Sequence, residues 1–152
     1  MKTSFKFKDV HSCDAVVLTC IDFRFWKETL EFIEKSPPAG GLGIKSFDFP
    51  SLPGSAKAIN ECMASSDLAM QCIGVPCDLH HVKKIVIVNH EDCGAYGGSG
   101  KFETREEEQQ FHEGELRKAK EKLSEKYSDK EYVLVYARLA DNKENVEFIE
   151  VK

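Results

Sequence analysis

Three side chains that commonly bind metal ions stand at the ends of two apolar segments of this sequence. His90 directly follows one segment, and Cys93 comes three residues later, where Gly94 permits the chain to turn sharply. Cys20 lies at the exit of the other segment. A zinc site usually needs at least three protein ligands together with water. The three residues could therefore bind one zinc ion if the two segments ran side by side.

Segments with the pattern of strands alternate along the chain with segments of helical spacing. Strands are predicted at residues 14–21, 44–49, 85–89, 132–136 and 146–151, and helices at residues 25–34, 55–72 and 103–127. Thr104 and Glu107 form a capping box at the start of the long helix. The last strand follows a polar turn and is predicted to pair with the fourth as an antiparallel hairpin.

This alternation predicts an α/β fold with three layers, in which helices cover both faces of a mostly parallel five-stranded sheet. We expect the strand order 2-1-3-4-5, with the last strand antiparallel. In that order strands 1 and 3 are neighbours, and ligands bind beyond the carboxyl ends of the strands at this switch point. Because Cys20 ends strand 1 and His90 ends strand 3, the topology brings the metal-type side chains to one crevice.

Length and composition indicate one globular domain over residues 1–152, in which residues 1–12 form a loose amino-terminal arm. Hydrophobic residues make up 41% of the chain and charged residues 31%, which is typical of a globular protein. The net charge of -5 argues against a nucleic-acid partner, which usually requires a basic face. The sequence has no apolar run of membrane-spanning length and no secretory signal, so we expect no membrane partner and a cytoplasmic location.

The remaining cysteines and histidines are predicted to have ordinary roles. Four cysteines lack a ligand-type partner at close spacing and are predicted to be structural thiols: Cys13, Cys62, Cys72 and Cys77. Two of them lie near His80 and His81, but the spacing fits no standard zinc pattern, so a second metal site there is disfavoured. The other histidines are predicted to be polar or surface residues, and the sequence does not choose a proton shuttle among them: His11, His80, His81 and His112.

At its two strand exits the sequence resembles the β-class carbonic anhydrases. Members of that family have the pattern Cys-x-Asp-x-Arg after the first strand and His-x-x-Cys-Gly after the third, and these patterns stand here at residues 20–24 and 90–94. The order of the elements and the distance between the two motifs also match. The resemblance extends over residues 14–151.

The resemblance implies a set of functional residues. It implies that Cys20, His90 and Cys93 hold a zinc ion. It also implies that Asp22 and Arg24 form a charge-paired catalytic dyad beside the fourth position of the zinc. The partners that it implies are carbon dioxide and bicarbonate, and a second copy of the chain in a homodimer or a higher homo-oligomer.

The sequence departs from the family pattern in three places. Residues 47–54 stand where members usually carry an Arg-Asn-Ala-Gly type of segment, and Asn89 stands where the residue before the metal histidine is usually glycine. The helical amino-terminal arm of many members is largely missing. These departures leave the two metal motifs intact and alter the predicted substrate wall.

The activity implied is zinc-dependent, reversible hydration of carbon dioxide to bicarbonate by a zinc-bound hydroxide, the reaction of a carbonate dehydratase. Two thiolates donate more charge to zinc than imidazoles do, so we expect the activity to rise toward alkaline pH. The phenylalanine-rich exit of the second strand keeps open a zinc hydrolase acting on carbonyl sulfide or carbon disulfide. A third hypothesis is a non-catalytic zinc-binding or bicarbonate-sensing module, in which Asp22 leaves Arg24 and closes the site as a fourth ligand.

Overall fold

The computed structural model of the protein describes residues 1–141 and 143–152. Within these residues the sheet consists of five strands: β1 (Ala15–Leu18), β2 (Phe47–Asp48), β3 (Lys84–His90), β4 (Glu131–Leu139) and β5 (Val146–Val151). Their order is β2-β1-β3-β4-β5. The pairs β1–β2, β1–β3 and β3–β4 are parallel, and β4–β5 is antiparallel. The predicted strand order and the antiparallel last strand are confirmed.

Helices cover both faces of this sheet, as predicted. The α-helices of the described residues are α1 (Trp26–Glu34), α2 (Ala56–Asn60), α3 (Leu68–Leu79) and α4 (Arg105–Ser124). On one face α2, α3 and α4 pack against Val16 and Leu18 in a large apolar core. On the other face Ile33 of α1 packs in a second core with Ala15 and Val17. The sheet is therefore the middle of three layers.

Burial on both faces explains why the two central strands, β1 and β3, are apolar at nearly every position. All four residues of β1 have 0% exposure, and residues 85–88 of β3 are exposed by 2% or less. Successive side chains of a strand point to opposite faces, so burial on both faces leaves little room for polar residues. In the parallel pairing of β1 with β3, Leu18 lies opposite Ile87. The residues that follow both strands consequently emerge at the same edge of the sheet.

The prediction of a single helix over residues 55–72 is wrong. This range contains α2, a turn and the beginning of α3, which extends past its end. The turn lies between α2 and α3. Its Asp67 carboxylate accepts hydrogen bonds from the backbone N–H groups of Met63 (2.6 Å) and Ala64 (3.1 Å). An aspartate side chain that satisfies nearby backbone donors stabilises a turn in place of continued helix.

Helix α3 also continues beyond the point where the sequence predicted its end. Pro76 lies inside the helix, where its ring nitrogen cannot donate the usual backbone hydrogen bond. Ala69, Ile73 and Cys77 are nevertheless buried at a spacing of four residues, so the apolar face continues past the proline. Burial of this face against the sheet outweighs the lost hydrogen bond.

Helix α4 begins at the predicted capping box. The Thr104 hydroxyl accepts a hydrogen bond from the backbone N–H of Glu107 (3.0 Å), and the Glu107 carboxylate accepts one from the backbone N–H of Glu103 (2.8 Å). One free backbone donor of the first helical turn and one donor just before the cap are thereby satisfied. The cap fixes the start of α4 and so the positions of the side chains that follow.

The chain outside these elements adds little to the sheet. Residues 1–12 contain no helix or strand, and each of them is exposed. In residues 1–141 and 143–152, no helix combines the length and the apolar character needed to cross a membrane.

The turn after α1 gives a test of the fold. A Cβ atom at Gly41 would overlap the backbone carbonyl oxygens of Phe32 and Lys35, so we expect Gly41→Ala to lower the free energy of unfolding by about 2 kcal/mol or more. Gly114 lies inside α4, and a Cβ there would meet nothing within 4 Å. Gly114→Ala should raise stability by about 0.5–1 kcal/mol, since alanine favours helix more than glycine does. Urea denaturation of both variants measures these changes, and equal effects would contradict the described turn.

Candidate metal centre

The structure brings together the three metal-type residues at the exits of β1 and β3. The ligand atoms of Cys20, His90 and Cys93 all lie within 4.8 Å of one another. The two sulfur atoms are 3.8 Å apart. The three residues are exposed by only 6%, 2% and 2%, respectively. Their arrangement makes them a candidate metal centre, while the binding of zinc stays a prediction.

The imidazole of His90 is held with one nitrogen free for a ligand. Its Nδ1 lies 2.7 Å from the carbonyl oxygen of Glu91, and because a carbonyl can only accept, Nδ1 carries the proton and donates. Its Nε2 is buried and has no hydrogen-bond partner among the described residues. A buried polar atom without a partner is costly. A metal ion at Nε2 would satisfy it, and a backbone partner on the other nitrogen is typical of metal-bound histidine.

The two thiols form a coupled pair. The hydrogen bond between the two thiols lowers the pKa of Cys20, and His90 and the Gly54 backbone N–H (3.4 Å) lower it further. The same contact with Cys20, together with burial, raises the pKa of Cys93. The thiolate is the form that binds metals, so Cys20 is prepared for this role and Cys93 would release its proton on binding.

The donor set fits zinc. Cysteine sulfur and histidine nitrogen are its preferred protein ligands, and sites with three protein ligands keep a fourth position open for chemistry. None of the six cysteines, all of which lie in the described part of the chain, forms a disulfide. The sulfur atoms of Cys20 and Cys93 are therefore available to a metal ion.

Asp22 and Arg24 form the predicted pair beside these residues. The Arg24 guanidinium donates from Nε to both carboxylate oxygens of Asp22 (3.0 and 3.1 Å) and from a terminal nitrogen to Oδ2 (2.6 Å). These hydrogen bonds are the main reason that the pKa of Asp22 is lowered. Oδ2 of Asp22 lies 4.0 Å from Nε2 of His90, so the carboxylate borders the free nitrogen while Arg24 holds it. The catalytic role of the pair is not tested by this geometry and stays a prediction.

The turn between His90 and Cys93 is held by a buried carboxylate from α4. Asp92 in this turn has a φ of 56°, in the left-handed region that is costly for a residue other than glycine. Its backbone N–H donates to Glu108 (2.7 Å), and the Ser99 hydroxyl donates to the other oxygen of the same carboxylate (2.7 Å). Glu108 is only 1% exposed. These hydrogen bonds stabilise the strained turn that positions Cys93.

The two residues that flank His90 are also anchored. Glu91 accepts two hydrogen bonds from the Arg105 guanidinium (2.8 and 2.9 Å) and one from the backbone N–H of Leu139 (2.9 Å). Asn89 accepts a hydrogen bond at Oδ1 from the backbone N–H of Ala56 at the start of α2 (3.1 Å). The asparagine that replaces the usual family glycine therefore has a structural task, because it ties β3 to the helix layer.

His112 corrects one prediction. It was predicted to be a polar or surface residue, but it is fully buried in the structure. Asn89 donates from its side-chain amide to Nδ1 of His112 (3.2 Å), so this imidazole is neutral with its proton on Nε2. Burial lowers the pKa of His112 to about 4. This histidine is therefore uncharged at neutral pH.

Sequence reasoning overlooked the supporting residues Asn89, Glu91, Arg105 and Glu108, although one signal was available. Counting back by four from the buried Leu116 reaches His112 and then Glu108. Two polar residues thus continue the apolar stripe of α4. A charged residue on the buried side of a helix indicates a specific partner, and here that partner is the turn of the metal centre.

A cavity of about 530 Å³ opens at the candidate centre. Its lining residues come from the two strand exits and the segment after β2: Cys20, Ile21, Asp22, Phe23, Arg24, Pro53, Gly94 and Ala95. Phe23 is 80% exposed at this opening. Phe47 and Phe49, which were expected to make the substrate wall apolar, instead pack against the second core. The apolar part of the wall therefore comes mainly from the exit of β1.

An α/β fold with cysteine and histidine at the β1–β3 switch point is the arrangement of a carbonic anhydrase-like protein, and comparison with known proteins agrees. The chain is similar to the β-carbonic anhydrase isoform I of Trichomonas vaginalis, with a TM-score of 0.61, 12% identity and coverage of 98% of this chain and 87% of that one. At this level of identity the likeness shows the fold alone.

Two sequence relatives come from rickettsiae, and both are uncharacterised proteins. The chain is 30% identical over 126 residues to one from Rickettsia bellii, covering 79% of this chain and 73% of the relative. It is 31% identical over 126 residues to one from Rickettsia conorii, covering 79% of this chain and 64% of the relative. Residues 10–150 match the family described as "Putative carbonic anhydrase", and the chain belongs to this family.

The burial of His112 can be tested through the pH dependence of the free energy of unfolding. In the unfolded chain the His112 imidazole takes up a proton near pH 6.5, whereas in the folded chain it does so only near pH 4. The stability that this group contributes is thus complete above pH 6.5 and is lost as the pH falls toward 4. The lowered pKa corresponds to about 3 kcal/mol.

We therefore expect His112→Gln to flatten the dependence of the free energy of unfolding on pH between 6.5 and 4. Urea denaturation at a series of pH values measures it. The matched control is His11→Gln, because the side chain of His11 is 96% exposed and should not affect the slope. An unchanged slope in His112→Gln would contradict the neutral, buried state of His112.

Proposed function

We propose that this protein is a zinc-dependent carbonic anhydrase that interconverts carbon dioxide and bicarbonate. The observation that carries the proposal is the free, buried Nε2 of His90, which lies beside two cysteine sulfurs and an aspartate held by arginine. Membership of a carbonic anhydrase-like family supports the same reaction.

Cys20, His90 and Cys93 would hold the zinc ion. Two thiolates and a neutral imidazole leave the charge of the site near zero and one position open. When bound, zinc supplies a Lewis acid that makes water a nucleophile near neutral pH. The surrounding residues then have to orient that nucleophile, admit the substrate and release the product.

Asp22 is suited to orient the nucleophile. Its carboxylate is ionised because hydrogen bonds from Arg24 lower its pKa. One of its oxygens is 4.0 Å from Nε2 of His90, so the carboxylate borders the residues that would hold the ion. An ionised carboxylate can only accept hydrogen bonds, so it would fix the donor hydrogen of the nucleophile and turn a lone pair toward the substrate. Arg24 keeps the carboxylate from becoming a ligand itself.

The cavity wall is suited to a small apolar substrate. Ile21, Phe23 and Ala95 line it beside Cys20. Carbon dioxide is uncharged and linear, so an apolar wall admits it without loss of hydrogen bonds. Addition of a water oxygen to its carbon gives bicarbonate and one proton, and the proton leaves to solvent. Ile21 and Phe23 are both exposed at this opening, and this apolar surface supports the proposed homodimer or higher homo-oligomer, because a second copy would cover it.

The two competing functions have less support. The hydrolase of carbonyl sulfide or carbon disulfide rested on Phe47 and Phe49, which pack against the second core and do not line the cavity of the candidate centre. The closed zinc module requires Asp22 to leave Arg24, and the carboxylate is instead held by that side chain and by the Arg24 backbone N–H (3.0 Å). No observation in the described residues favours either function over carbon dioxide hydration.

Stopped-flow hydration of carbon dioxide tests the proposal directly. Protein of measured zinc content should show turnover that rises toward alkaline pH. Cys93→Ser removes one ligand and should lower kcat/KM by at least about 100-fold. The matched control is Cys62→Ser, because Cys62 is a buried thiol that donates to the Ala58 carbonyl and lies outside the candidate centre. Fully zinc-loaded protein without turnover would contradict the proposal.

Arg24→Gln tests the role of the charge pair. Without the guanidinium, Asp22 is free to occupy the open position, so we expect kcat/KM to fall by about 10- to 100-fold. Cobalt-substituted protein should report the added oxygen ligand as a changed visible spectrum. Arg117→Gln is the control, because Arg117 is paired with Glu113 on the surface of α4. An Arg24→Gln variant with unchanged turnover and spectrum would show that the pair has no catalytic use.

A further inference from the structure

A second group of metal-type side chains lies at the other end of β1. The ligand atoms of Cys13, Asp48 and His80 are all within 4.8 Å of one another. Cys13 stands two residues before β1, whereas Cys20 stands two residues after it. At about 3.3 Å per residue the two cysteines are roughly 20 Å apart, so this group is separate from the candidate centre.

The three side chains are supplied by segments that the fold holds in place. Asp48 belongs to β2, which pairs with β1, and His80 follows the last residue of α3. The backbone N–H of Cys13 donates to the carbonyl oxygen of His80 (3.2 Å). The pairing of β2 with β1 and this hydrogen bond therefore fix the backbone positions of the three residues. Only the rotamers of their side chains would have to adjust to a bound ion.

One carboxylate oxygen lies within hydrogen-bond distance of both other side chains. His80 donates from Nδ1 to Oδ2 of Asp48 (2.7 Å), and the Cys13 thiol lies 3.5 Å both from that oxygen and from the carbonyl oxygen of Ala15. A metal ion would replace the hydrogens on Nδ1 and on the thiol and draw nitrogen, oxygen and sulfur to itself. Ligand bonds of about 2.0–2.3 Å in a tetrahedral site separate ligand atoms by about 3.3–3.8 Å. The observed spacing requires side-chain movements of about 1 Å to reach that arrangement.

The group is accessible and has room for a further ligand. The side chains of Asp48 and His80 are 32% and 39% exposed, and Cys13 is partly buried. Asp48 and His80 also line a cavity of about 460 Å³, together with Cys72. An ion can therefore enter from solvent, and a water molecule or another small ligand can complete its coordination from the cavity.

We propose that Cys13, Asp48 and His80 form a second metal site, which takes a divalent ion of the zinc class. Sulfur, nitrogen and carboxylate oxygen are the three ligand types of protein-bound zinc, and each is present once. A hard ion such as magnesium would not select cysteine and histidine. This site goes beyond the proposed function, because it shares no ligand with the candidate catalytic centre.

The inference revises two predictions made from the sequence. Cys13 was predicted to be a structural thiol and His80 an ordinary polar residue. The disfavoured second site combined Cys72 and Cys77 with His80 and His81, but in the described residues the group that includes His80 contains Cys13 and Asp48 instead. Sequence spacing gives no indication of it, because its members are more than thirty residues apart.

Zinc stoichiometry tests the second site. The full chain is loaded with zinc, freed of loosely bound metal by gel filtration and analysed by mass spectrometry for zinc per chain. We expect two zinc ions in the wild type and one in Cys13→Ser and in His80→Gln. Cys72→Ser is the matched control, since it removes a half-buried thiol from the same cavity, and it should keep two.

One zinc ion per wild-type chain, or two in His80→Gln, would overturn the second site. Loss of a zinc ion in Cys72→Ser would do the same, because it would assign the metal to a different thiol. The readout is metal content, so it does not depend on turnover. A protein with two zinc ions and no carbon dioxide hydration would contradict the proposed function and still support the second site.

Cobalt binding identifies the thiol ligand independently. In Cys20→Ser/Cys93→Ser the candidate centre has lost both sulfurs, so a thiolate-to-cobalt absorption band must come from another cysteine. We expect that band at one cobalt per chain, and its loss when Cys13→Ser is added. A folded double variant, judged by circular dichroism, that shows no such band would overturn the inference.

Discussion

The parallel pairing of β1 with β3 is the constraint on which the rest of the structure depends. Both strands are buried on both faces, so their apolar side chains fix the position of each strand between two cores. A shift of one residue would exchange the two faces of a strand. The pairing therefore determines that Cys20 leaves β1 at the edge where His90 leaves β3, and the candidate centre is built at that edge.

The polar residues around the candidate centre are needed because the turn that carries Cys93 is buried. A turn that delivers Cys93 to a buried position has backbone groups that water cannot reach, and each needs a partner inside the protein. Glu108 satisfies the N–H of Asp92, and Arg105 balances the charge of Glu91. Helix α4 thus contributes to the candidate centre without providing a ligand, since its buried carboxylate supports the loop that carries the candidate ligand Cys93.

The strand order and the grouping of Cys20 with His90 could be predicted because both depend on local patterns and on a topology that such patterns favour. The break between α2 and α3 could not, because apolar spacing continues across it and the interruption depends on the side chain of Asp67. The burial of Glu108 was missed since a carboxylate is usually exposed. Cys13, Asp48 and His80 meet only in three dimensions, and no short motif connects them.

Arg24 joins the exits of the two central strands from the outside. It binds Asp22 after β1, and it also binds the side chain and the carbonyl oxygen of Asp92 after β3 (3.0 Å each). The contact between Cys20 and Cys93 joins the same two exits from the inside. Contacts within the protein therefore hold Cys20, His90 and Cys93 close together. An ion that bound at such a preorganised site would cost the chain little conformational entropy, so more of the ligand-bond energy would be retained as affinity.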